Sequence, residues 1–294
     1  MQISIIVLTY NSINYLEKCF ESIFNQTYKD YEVIFIDNFS TDGTYERIKE
    51  LKKNKDNVQI HQYKNCGNMA ASRNIGIKIS KNDYLAFHDS DDFWYKNKLE
   101  TSVSFLKNYD FVYHNFKILN EATRENLKKS YRYQIKKNKF EQLLIRGNPI
   151  ATSSVVCKKK INNFTLNFTE EPKLMAIEDY DLWLKLAYLG CKFKYIEKDL
   201  GYLLERVDSE SKVKLNKVHG YKIIFNKYQK NLNKSLKTKA LSLHRYRVAN
   251  ILFILCKKKS INFFLSVLFK KSFFKLKILS LIKIIKIKLN LKNY

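Results

Sequence analysis

Residues 84–94, YLAFHDSDDFW, decide the fold. The apolar residues 84–87 predict a short buried strand, because the turn-like sequence 81–83 precedes them. Three carboxylates follow within four residues, which puts Asp89 and Asp91 at the carboxyl end of this strand. Open α/β sheets bind their ligands at the carboxyl ends of their strands. The stretch therefore predicts a ligand site at the edge of an α/β sheet.

The spacing of the carboxylates suggests which ligand binds there. A single residue separates Asp89 from Asp91, so their negative charges repel each other. A divalent cation shared with phosphate oxygens would relieve this repulsion. The alternative is a solvated acidic turn before the next helix, with Asp92 as its N-cap. His88, which directly precedes the cluster, is expected to point into the packing of the sheet rather than to bind a ligand.

Strands and helices alternate four times in about the first 90 residues. The strands are predicted at 4–8, 31–36, 58–63 and 84–87. This alternation predicts a doubly wound, mostly parallel sheet. Because the carboxyl ends of parallel strands meet at one edge, the polar clusters that follow three of the strands should converge and form a metal–nucleotide site. These clusters are Thr9–Asn11, Asp37–Asp42 and Asp89–Asp92.

A helix rich in small residues is predicted over 67–77, where it can pack close to the sheet. The second half of the chain has a less regular pattern. Further strands are predicted at 110–116, 150–157 and 191–196, with short helices at 140–145 and around 99–106. The polar residues 117–139 predict a variable loop, and 203–211 a polar segment.

Glu178 and Asp179 open another predicted helix. Acidic residues in a first turn interact favourably with the helix dipole, which is one sufficient explanation for them. The second explanation is that they supply a catalytic base beside the metal site.

Positive charge is concentrated in the last third of the chain. The formal net charge is +26, yet 22 of the 54 Lys and Arg residues and none of the 28 Asp and Glu residues follow Glu210. The first 210 residues, with 32 basic and 28 acidic side chains, therefore carry only +4. We predict an α/β domain over 1–212 and a basic, mainly helical C-terminal extension over 213–294. Such a cationic tail suits a polyanion, either nucleic acid or an anionic membrane face.

Residues 245–294 mix apolar stretches with lysines. No apolar run reaches the roughly 18 residues of a membrane-spanning helix. The lysines of 270–292 spread over a wide arc of the helical wheel, so no clean amphipathic helix is evident. We favour attachment of 245–294 to an anionic membrane surface over a packed helical subdomain with a basic face, and both over nucleic-acid binding.

Several segments together resemble family 2 glycosyltransferases, which have the GT-A fold. The resemblance extends over roughly residues 1–212. The segments that carry it are SIIVLTYNS (4–12), SIFNQT (22–27), VIFIDNFSTDG (33–43), ASRNIG (71–76), DSDD (89–92) and EDYDLW (178–183).

The resemblance implies a role for each matching position. Arg73 is expected near the nucleotide pocket, within reach of the base or the diphosphate. Asp89 is expected to face the ribose and the metal, and Asp91 to coordinate Mn²⁺ or Mg²⁺ that bridges the diphosphate. Asp179 corresponds to the general base, and Glu178 to its neighbour on the acceptor side. Four residues are expected to line the pocket for the base and ribose: Thr9, Tyr10, Asp37 and Asn38.

Two positions depart from the family pattern. Many relatives have two aspartates after the second strand, whereas this chain has Asp37 and Asn38. Asn38 can still form a hydrogen bond to the edge of a base. Relatives often have a histidine where this chain has Arg206, which could bind phosphate as a cation or form a surface salt bridge.

The resemblance implies an inverting, metal-dependent glycosyltransferase that transfers a hexosyl or N-acetylhexosaminyl group from a nucleotide-sugar, most simply UDP-linked. Together with the basic tail, it predicts a lipid-linked surface polysaccharide or lipooligosaccharide precursor as acceptor. The expected location is cytoplasmic, peripheral on the inner face of the membrane. The alternatives are a protein or soluble acceptor, a nucleic-acid-binding protein with a non-catalytic α/β domain, and a nucleotidyltransferase, which would not need Asp179.

Overall fold

The structure is a computed structural model in which two compact units can be distinguished. The first unit comprises Met1–Ile135, Pro149–Glu170 and Lys185–Ser209. The second comprises Lys136–Asn148, Glu171–Leu184 and Glu210–Tyr294. The structure describes residues 1–121, 123, 125–127, 133–136, 138–205, 215–255, 257–269 and 274–289.

The first unit is built on a nine-stranded, mostly parallel sheet. Its strands lie in the order β3-β2-β1-β4-β8-β6-β11-β5, and β7 pairs with β6 at the side. β8 is antiparallel to both β4 and β6. A separate hairpin joins β9 and β10. The strands are β1 (Ile3–Thr9), β2 (Tyr31–Asp37), β3 (Val58–Gln62), β4 (Tyr84–Asp89), β5 (Phe93–Trp94), β6 (Phe111–Asn120), β7 (Asn126–Leu127), β8 (Val156–Lys158), β9 (Lys160–Ile161), β10 (Phe164–Thr165) and β11 (Phe193–Glu205).

Helices connect the parallel strands of this unit, and the predicted α/β fold class is confirmed. The helices are α1 (Ile13–Phe24), α2 (Thr44–Leu51), α3 (Met69–Ile79) and α4 (Lys98–Leu106). The core lies between α1 and the central strands, where side chains such as Leu16, Phe20 and Phe35 are almost completely buried. Burial of a side chain of this size contributes about 1.5–3 kcal/mol to folding.

The register of the central strands determines where their polar ends lie. Thr9 at the end of β1 pairs with Asp37 at the end of β2, and Leu8 pairs with Asp89 at the end of β4. The three polar clusters therefore follow neighbouring strands at one edge of the sheet, as the strand–helix alternation predicts.

The small residues of α3 allow it to approach the sheet closely. A Cβ atom on Gly76 would lie 2.5 Å from Cγ2 of Ile6 in β1, so no larger residue fits without moving that side chain. The expected close packing of this helix is confirmed.

Three local predictions were wrong, and one of the alternatives is excluded. Residues 117–120 continue β6 instead of starting a loop, because they pair with β11. Only the end of the predicted strand 150–157 is extended, since Thr152–Ser154 form a 3₁₀ turn before β8. Residues 203–205 belong to β11, which is 13 residues long. Asp92 does not cap a helix, because the strand β5 follows it and pairs with β11.

The second unit is mainly helical. It contains α5 (Lys139–Arg146), the first seven residues of α6 (Glu178–Tyr188), α7 (Leu215–Tyr228), α8 (Lys234–Leu255), α9 (Lys257–Phe269) and α10 (Phe274–Lys288). Ala249, Phe253, Phe264 and Ile284 form a small core among α8, α9 and α10. No helix in the described part of the chain is both long enough and apolar enough to cross a bilayer.

The predicted helical character of the extension is therefore confirmed. The predicted domain boundary at 212 falls within residues 206–214, which lie outside the described ranges, and it stays a prediction.

Candidate active site

Asp37 organises the loops that follow β1 and β2. Its carboxylate is fully buried and accepts hydrogen bonds from Oγ1 of Thr9 (3.0 Å) and from the backbone N–H of Ser40 (3.0 Å). The hydroxyl of Ser40 donates a further bond at 2.5 Å. A buried carboxylate is stable only when such donors surround it, so these bonds fix the edge of the predicted nucleotide pocket.

Asn38 joins that edge to the segment before α3. Its Oδ1 accepts a hydrogen bond from the backbone N–H of Asn65 (2.9 Å), and the side chain of Asn65 donates to Oγ of Ser72 (2.8 Å). An aspartate at position 38 could accept the same bond from Asn65. It would lack the NH₂ donor that asparagine adds.

Two exposed aromatic side chains follow the paired ends of β1 and β2. Tyr10 is 57% exposed and Phe39 is 51% exposed. Phe39 also has a φ of +53°, which is unusual for a bulky residue and is typical of functional loops. Sequence analysis identified Tyr10 as a candidate but missed Phe39, whose only signal is an aromatic residue in an otherwise polar loop.

Asp42 holds the starts of two helices. One of its oxygens accepts from the backbone N–H of Ile13 at the start of α1, and the other from the N–H and the hydroxyl of Thr44 at the start of α2. Partial burial alone would raise the pKa of Asp42, but these hydrogen bonds lower it. The N-cap position of α2 is occupied by Gly43, and Asp42, one residue earlier, ties the first residues of both helices together.

Arg73 and Asp89 form an ion pair at the end of β4. Nη2 of Arg73 lies 3.2 Å from Oδ1 of Asp89, and the arginine side chain is only 3% exposed. The guanidinium also lies 5.4 Å from the ring centre of Phe168. The expected role of Arg73 at the base or diphosphate stays a prediction, and the structure adds its ion pair with the Asp89 carboxylate. This ion pair holds Asp89 in place.

The backbone of Asp89 is fixed by a residue distant in sequence. Its N–H donates to Oγ of Ser153 (3.0 Å), and Nε1 of Trp94 donates to the carbonyl oxygen of Ser153 (2.9 Å). Residues 147–154, which include Ser153, resemble a family segment that borders the acceptor site, but the contact of Ser153 with Asp89 joins residues 64 apart and cannot be predicted from either segment. Trp94 is buried.

Asp91 lies half-buried in the turn that follows Asp89. Ser90 connects this turn to the end of β1, since its hydroxyl lies 2.7 Å from the hydroxyl of Ser12. Within the described residues, no three Asp, Glu, His or Cys side chains form a cluster that could hold a metal by themselves. Mg²⁺ is commonly held by one or two carboxylates together with substrate phosphates. The pair Asp89 and Asp91 fits that type of site.

His88 packs inside the unit, as expected. Its ring is 4.5 Å from the ring of Trp94, and its nitrogens lie near Oγ of Ser22 (3.3 Å) and Sγ of Cys19 (3.8 Å). Burial, together with the nearby Lys98, lowers the pKa of His88 from 6.5 to about 3. The imidazole is therefore neutral in the folded protein at ordinary pH.

This shift predicts a contribution of His88 to acid unfolding. Below pH 6.5 the unfolded chain takes up a proton at His88 and the folded chain does not, so stability falls as the pH drops towards about 3. The slope is up to about 1.4 kcal/mol per pH unit. His88→Gln should flatten the dependence of the free energy of unfolding on pH in this window, measured by urea denaturation. The exposed His61→Gln is the control, and equal slopes for wild type and His88→Gln would contradict the prediction.

In the second unit, Asp179 is held at the start of α6. Its Oδ2 accepts a hydrogen bond from Nδ2 of Asn148 (2.9 Å), and its Oδ1 accepts from the backbone N–H of Tyr180 (2.6 Å). Asp179 is half-buried, whereas the neighbouring Glu178 is only 4% exposed. Asp181 pairs with Lys227 at 2.8 Å. Three acidic residues lie in the first turn of α6. Among them, Asp179 combines a half-buried carboxylate with a hydrogen bond from a side-chain amide that orients it.

A groove of about 510 Å³ lies on the surface of the same unit. It combines three basic side chains with apolar ones. Its lining residues are Pro172, Lys173, His219, Lys222, Ile223 and Asn226. Arg206, the remaining sequence candidate, lies outside the described residues.

Comparison with known proteins identifies relatives of the chain. Residues 4–163 match the model of the family described as Glycosyl transferase family 2. The chain is 28% identical over 192 residues to the UDP-Glc:alpha-D-GlcNAc-diphosphoundecaprenol beta-1,3-glucosyltransferase WfaP of Escherichia coli, covering 65% of this chain and 72% of that protein. It spans only 16–30% of the length of three Rickettsia proteins, described as uncharacterized glycosyltransferases, that it matches at 34–42% identity.

Solved structures share the fold. S. aureus TarS in complex with UDP-GlcNAc superimposes with a TM-score of 0.68 at 22% identity, covering 91% of this chain and 81% of that chain. A mannosyltransferase of Pyrobaculum calidifontis in complex with GDP-Man and Mn²⁺ has a TM-score of 0.60 at 13% identity, covering 99% and 88%. These similarities confirm the expected GT-A fold.

Proposed function

The chain belongs to glycosyl transferase family 2, and from this membership we propose that it transfers a sugar from a nucleotide-sugar to a lipid-linked glycan. The observation that carries the proposal is the convergence of three polar strand ends at one edge of the sheet. There Asp37 is fixed by Thr9 and Ser40, and Asp89 is fixed by Arg73 and Ser153. A preorganised polar edge of this kind suits a nucleotide with its diphosphate.

The donor side of the proposal assigns each residue a task. Thr9, Asp37 and Asn38 border the pocket for the base and ribose, with the exposed ring of Tyr10 beside them. UDP is the proposed nucleotide, supported by the UDP-sugar in the name of the E. coli relative and in the TarS complex.

Asp89 and Asp91 would hold Mn²⁺ or Mg²⁺ at the donor diphosphate. Such an ion would stabilise the negative charge of the departing diphosphate. The ion pair with Arg73 would keep the Asp89 carboxylate in place for that role. The P. calidifontis mannosyltransferase complex, which contains Mn²⁺, supports a metal at such a site.

On the acceptor side, Asp179 takes the proton of the attacking hydroxyl. Asn148 orients its carboxylate, and Glu178 is its buried neighbour. A single displacement assisted by one base inverts the anomeric configuration, so an α-linked donor gives a β-linkage. Arg206 is proposed as an additional cation for the diphosphate.

The proposed acceptor is a glycan on a lipid diphosphate, a precursor of surface polysaccharide or lipooligosaccharide. The groove lined by Lys173, His219 and Lys222 supports it, because basic groups beside the apolar Pro172 and Ile223 match a diphosphate next to a lipid chain. The acceptor in the name of the E. coli relative also carries a diphosphate and a polyprenyl chain. We accordingly propose a peripheral location on the inner membrane face, with 245–294 in contact with anionic lipid.

The test is to incubate the purified protein with a panel of UDP-, GDP- and TDP-sugars, with Mn²⁺ or with EDTA. We expect release of one nucleoside diphosphate that requires the metal and increases when glycolipid extracted from the native membrane is added. Mass spectrometry of the glycolipid should show one added sugar. No release from any donor in the presence of glycolipid would overturn the proposal, and release of pyrophosphate from a nucleoside triphosphate would indicate a nucleotidyltransferase instead.

A further inference from the structure

Within the described residues, helix α10 has two apolar faces, of which one is buried and the other is exposed. Leu276, Ser280 and Ile284 are buried, and Ile284 belongs to the core that α10 shares with α8 and α9. This face accounts for the packing of the helix within the second unit.

The second apolar face of α10 is exposed. It consists of five residues of α10 and the residue directly after its end, which are between 44% and 79% exposed. Their spacing follows the helical repeat, so they form one stripe over an arc of about 100°, roughly opposite the buried face. The residues are Phe274, Ile278, Leu281, Ile282, Ile285 and Leu289. Monomeric soluble proteins rarely expose a contiguous stripe of this kind without a partner.

Lysines border this stripe on both sides. At about 100° per residue, Lys275 and Lys286 fall on one border, and Lys277 and Lys288 on the other. Lys283 belongs to the covered side instead, because its Nζ lies 4.2 Å from the ring centre of Phe253. No acidic residue follows Glu210.

The sequence analysis missed this arrangement because the helical wheel carries apolar residues on two opposite sides. Together they surround the lysines and make the helix look apolar all round. The buried residues must first be assigned to the core before the amphipathic character of the remaining surface becomes visible.

We propose that α10 lies flat on an anionic lipid surface, with the stripe from Phe274 to Leu289 inserted among the acyl chains and the bordering lysines at the lipid phosphates. An interfacial helix needs this combination of an apolar face and flanking basic residues. The inference rests on the proposed membrane location of the enzyme and deepens it, because it names the helix, the face and the lipid charge.

Two other occupants of the stripe fit the structure less well. A second copy of the chain would bring the same lysines against each other, with no carboxylate on α10 to pair with them. Nucleic acid would satisfy the lysines but leave six apolar side chains without an apolar partner. Anionic lipid satisfies both.

The experiment measures co-sedimentation of the full-length protein with vesicles, in the absence of any sugar donor. Vesicles of equal parts phosphatidylglycerol and phosphatidylcholine should bind the wild type, and vesicles of phosphatidylcholine alone should bind it at least about tenfold less. The triple variant Ile278→Gln, Leu281→Gln, Ile285→Gln should lose about 100-fold in affinity for the anionic vesicles. The substituted side chains are exposed, so thermal unfolding should stay unchanged.

A pair of charge-matched variants distinguishes the effect of the bordering lysines on vesicle binding from the effect of net charge. Each variant replaces three lysines by glutamine and lowers the net charge equally. The first changes lysines on the borders of the stripe, and the second changes lysines at the end of α2 in the other unit. We expect at least about a tenfold loss of vesicle binding in the first and little change in the second. The substituted positions are Lys275, Lys277 and Lys288 in the first and Lys49, Lys52 and Lys53 in the second.

Insertion itself has a direct readout. Leu281→Trp places an indole on the stripe, and its fluorescence should shift to the blue when anionic vesicles are added. Equal binding of wild type and the glutamine triple variant, equal effects of the two lysine variants, or an unshifted indole spectrum would each overturn the proposal. So would a dimer in solution that the triple variant dissociates. Release of nucleoside diphosphate in detergent should be the same in wild type and triple variant, so failure of membrane binding is distinguished from failure of the proposed activity.

Discussion

Asp91→Asn is expected to lower sugar transfer and metal-dependent release of nucleoside diphosphate by about 1000-fold, which corresponds to about 4 kcal/mol of transition-state stabilisation. The reason is that asparagine keeps the shape of the side chain but loses the negative charge that would hold a divalent cation at the departing diphosphate. Asp89 alone, already paired with Arg73 at 3.2 Å, cannot replace that charge. The measurement is the initial rate of nucleoside diphosphate release with the donor identified in the panel, as a function of Mn²⁺ concentration.

Asp83→Asn is the matched control for this variant. Asp83 is exposed and directly precedes β4, so the same chemical change is made at the opposite end of the same strand. It should leave the rate unchanged. If Asp91→Asn kept the activity and the metal dependence of the wild type, Asp91 would not be a metal ligand, and the proposed site would have to be abandoned.

Asp179→Asn is expected to lower transfer to the acceptor by about 10²–10⁴-fold, because the acceptor hydroxyl would lose its base. Binding of the nucleotide-sugar, measured by calorimetry, should be unchanged, since no donor-side task is assigned to this residue. Asn148→Ala should have a smaller effect in the same direction, because it leaves the carboxylate present but removes the amide that orients it at 2.9 Å.

Asp181→Asn provides the control on the same helix. Asp181 pairs with Lys227, so this variant should lower the midpoint of thermal unfolding and still transfer sugar. Equal loss of transfer in Asp179→Asn and Asp181→Asn would mean that both act through the stability of α6. Asp179 would then have no role as a base.

The first ninety residues could be predicted well because their signals are local. Apolar runs of strand length alternate with helical periods, and each strand ends in a polar cluster that fixes its direction. The errors lie where distant pairing decides the structure. Residues 117–120 and 203–205 each open a segment predicted to be irregular, yet both are strand because they pair with each other. No property of either segment alone reveals that pairing.

The same limit applies to the candidate site. The sequence identifies Asp37, Asp89 and Asp91 by their position after predicted strands. It cannot identify Ser153 as the residue that holds the backbone of Asp89, nor the ion pair from Arg73, because both contacts join separate elements. It also gives no sign that Lys98 is completely buried, with Nζ 3.5 Å from the ring centre of Trp94. The catalytic and binding tasks of these residues stay predictions until the variants are measured.

The hydrogen bond between Asn38 and Asn65 has a consequence for the evolution of this protein. It requires only an oxygen atom on the side chain of residue 38, and both asparagine and aspartate provide one. Codons for these two amino acids differ at a single base. One mutational step can therefore replace the NH₂ group of this side chain, a hydrogen-bond donor, by a second oxygen, a hydrogen-bond acceptor. The loop keeps its hydrogen bond to Asn65 in both cases. Descendants that differ at this position could diverge in their choice of substrate without passing through a variant that fails to fold.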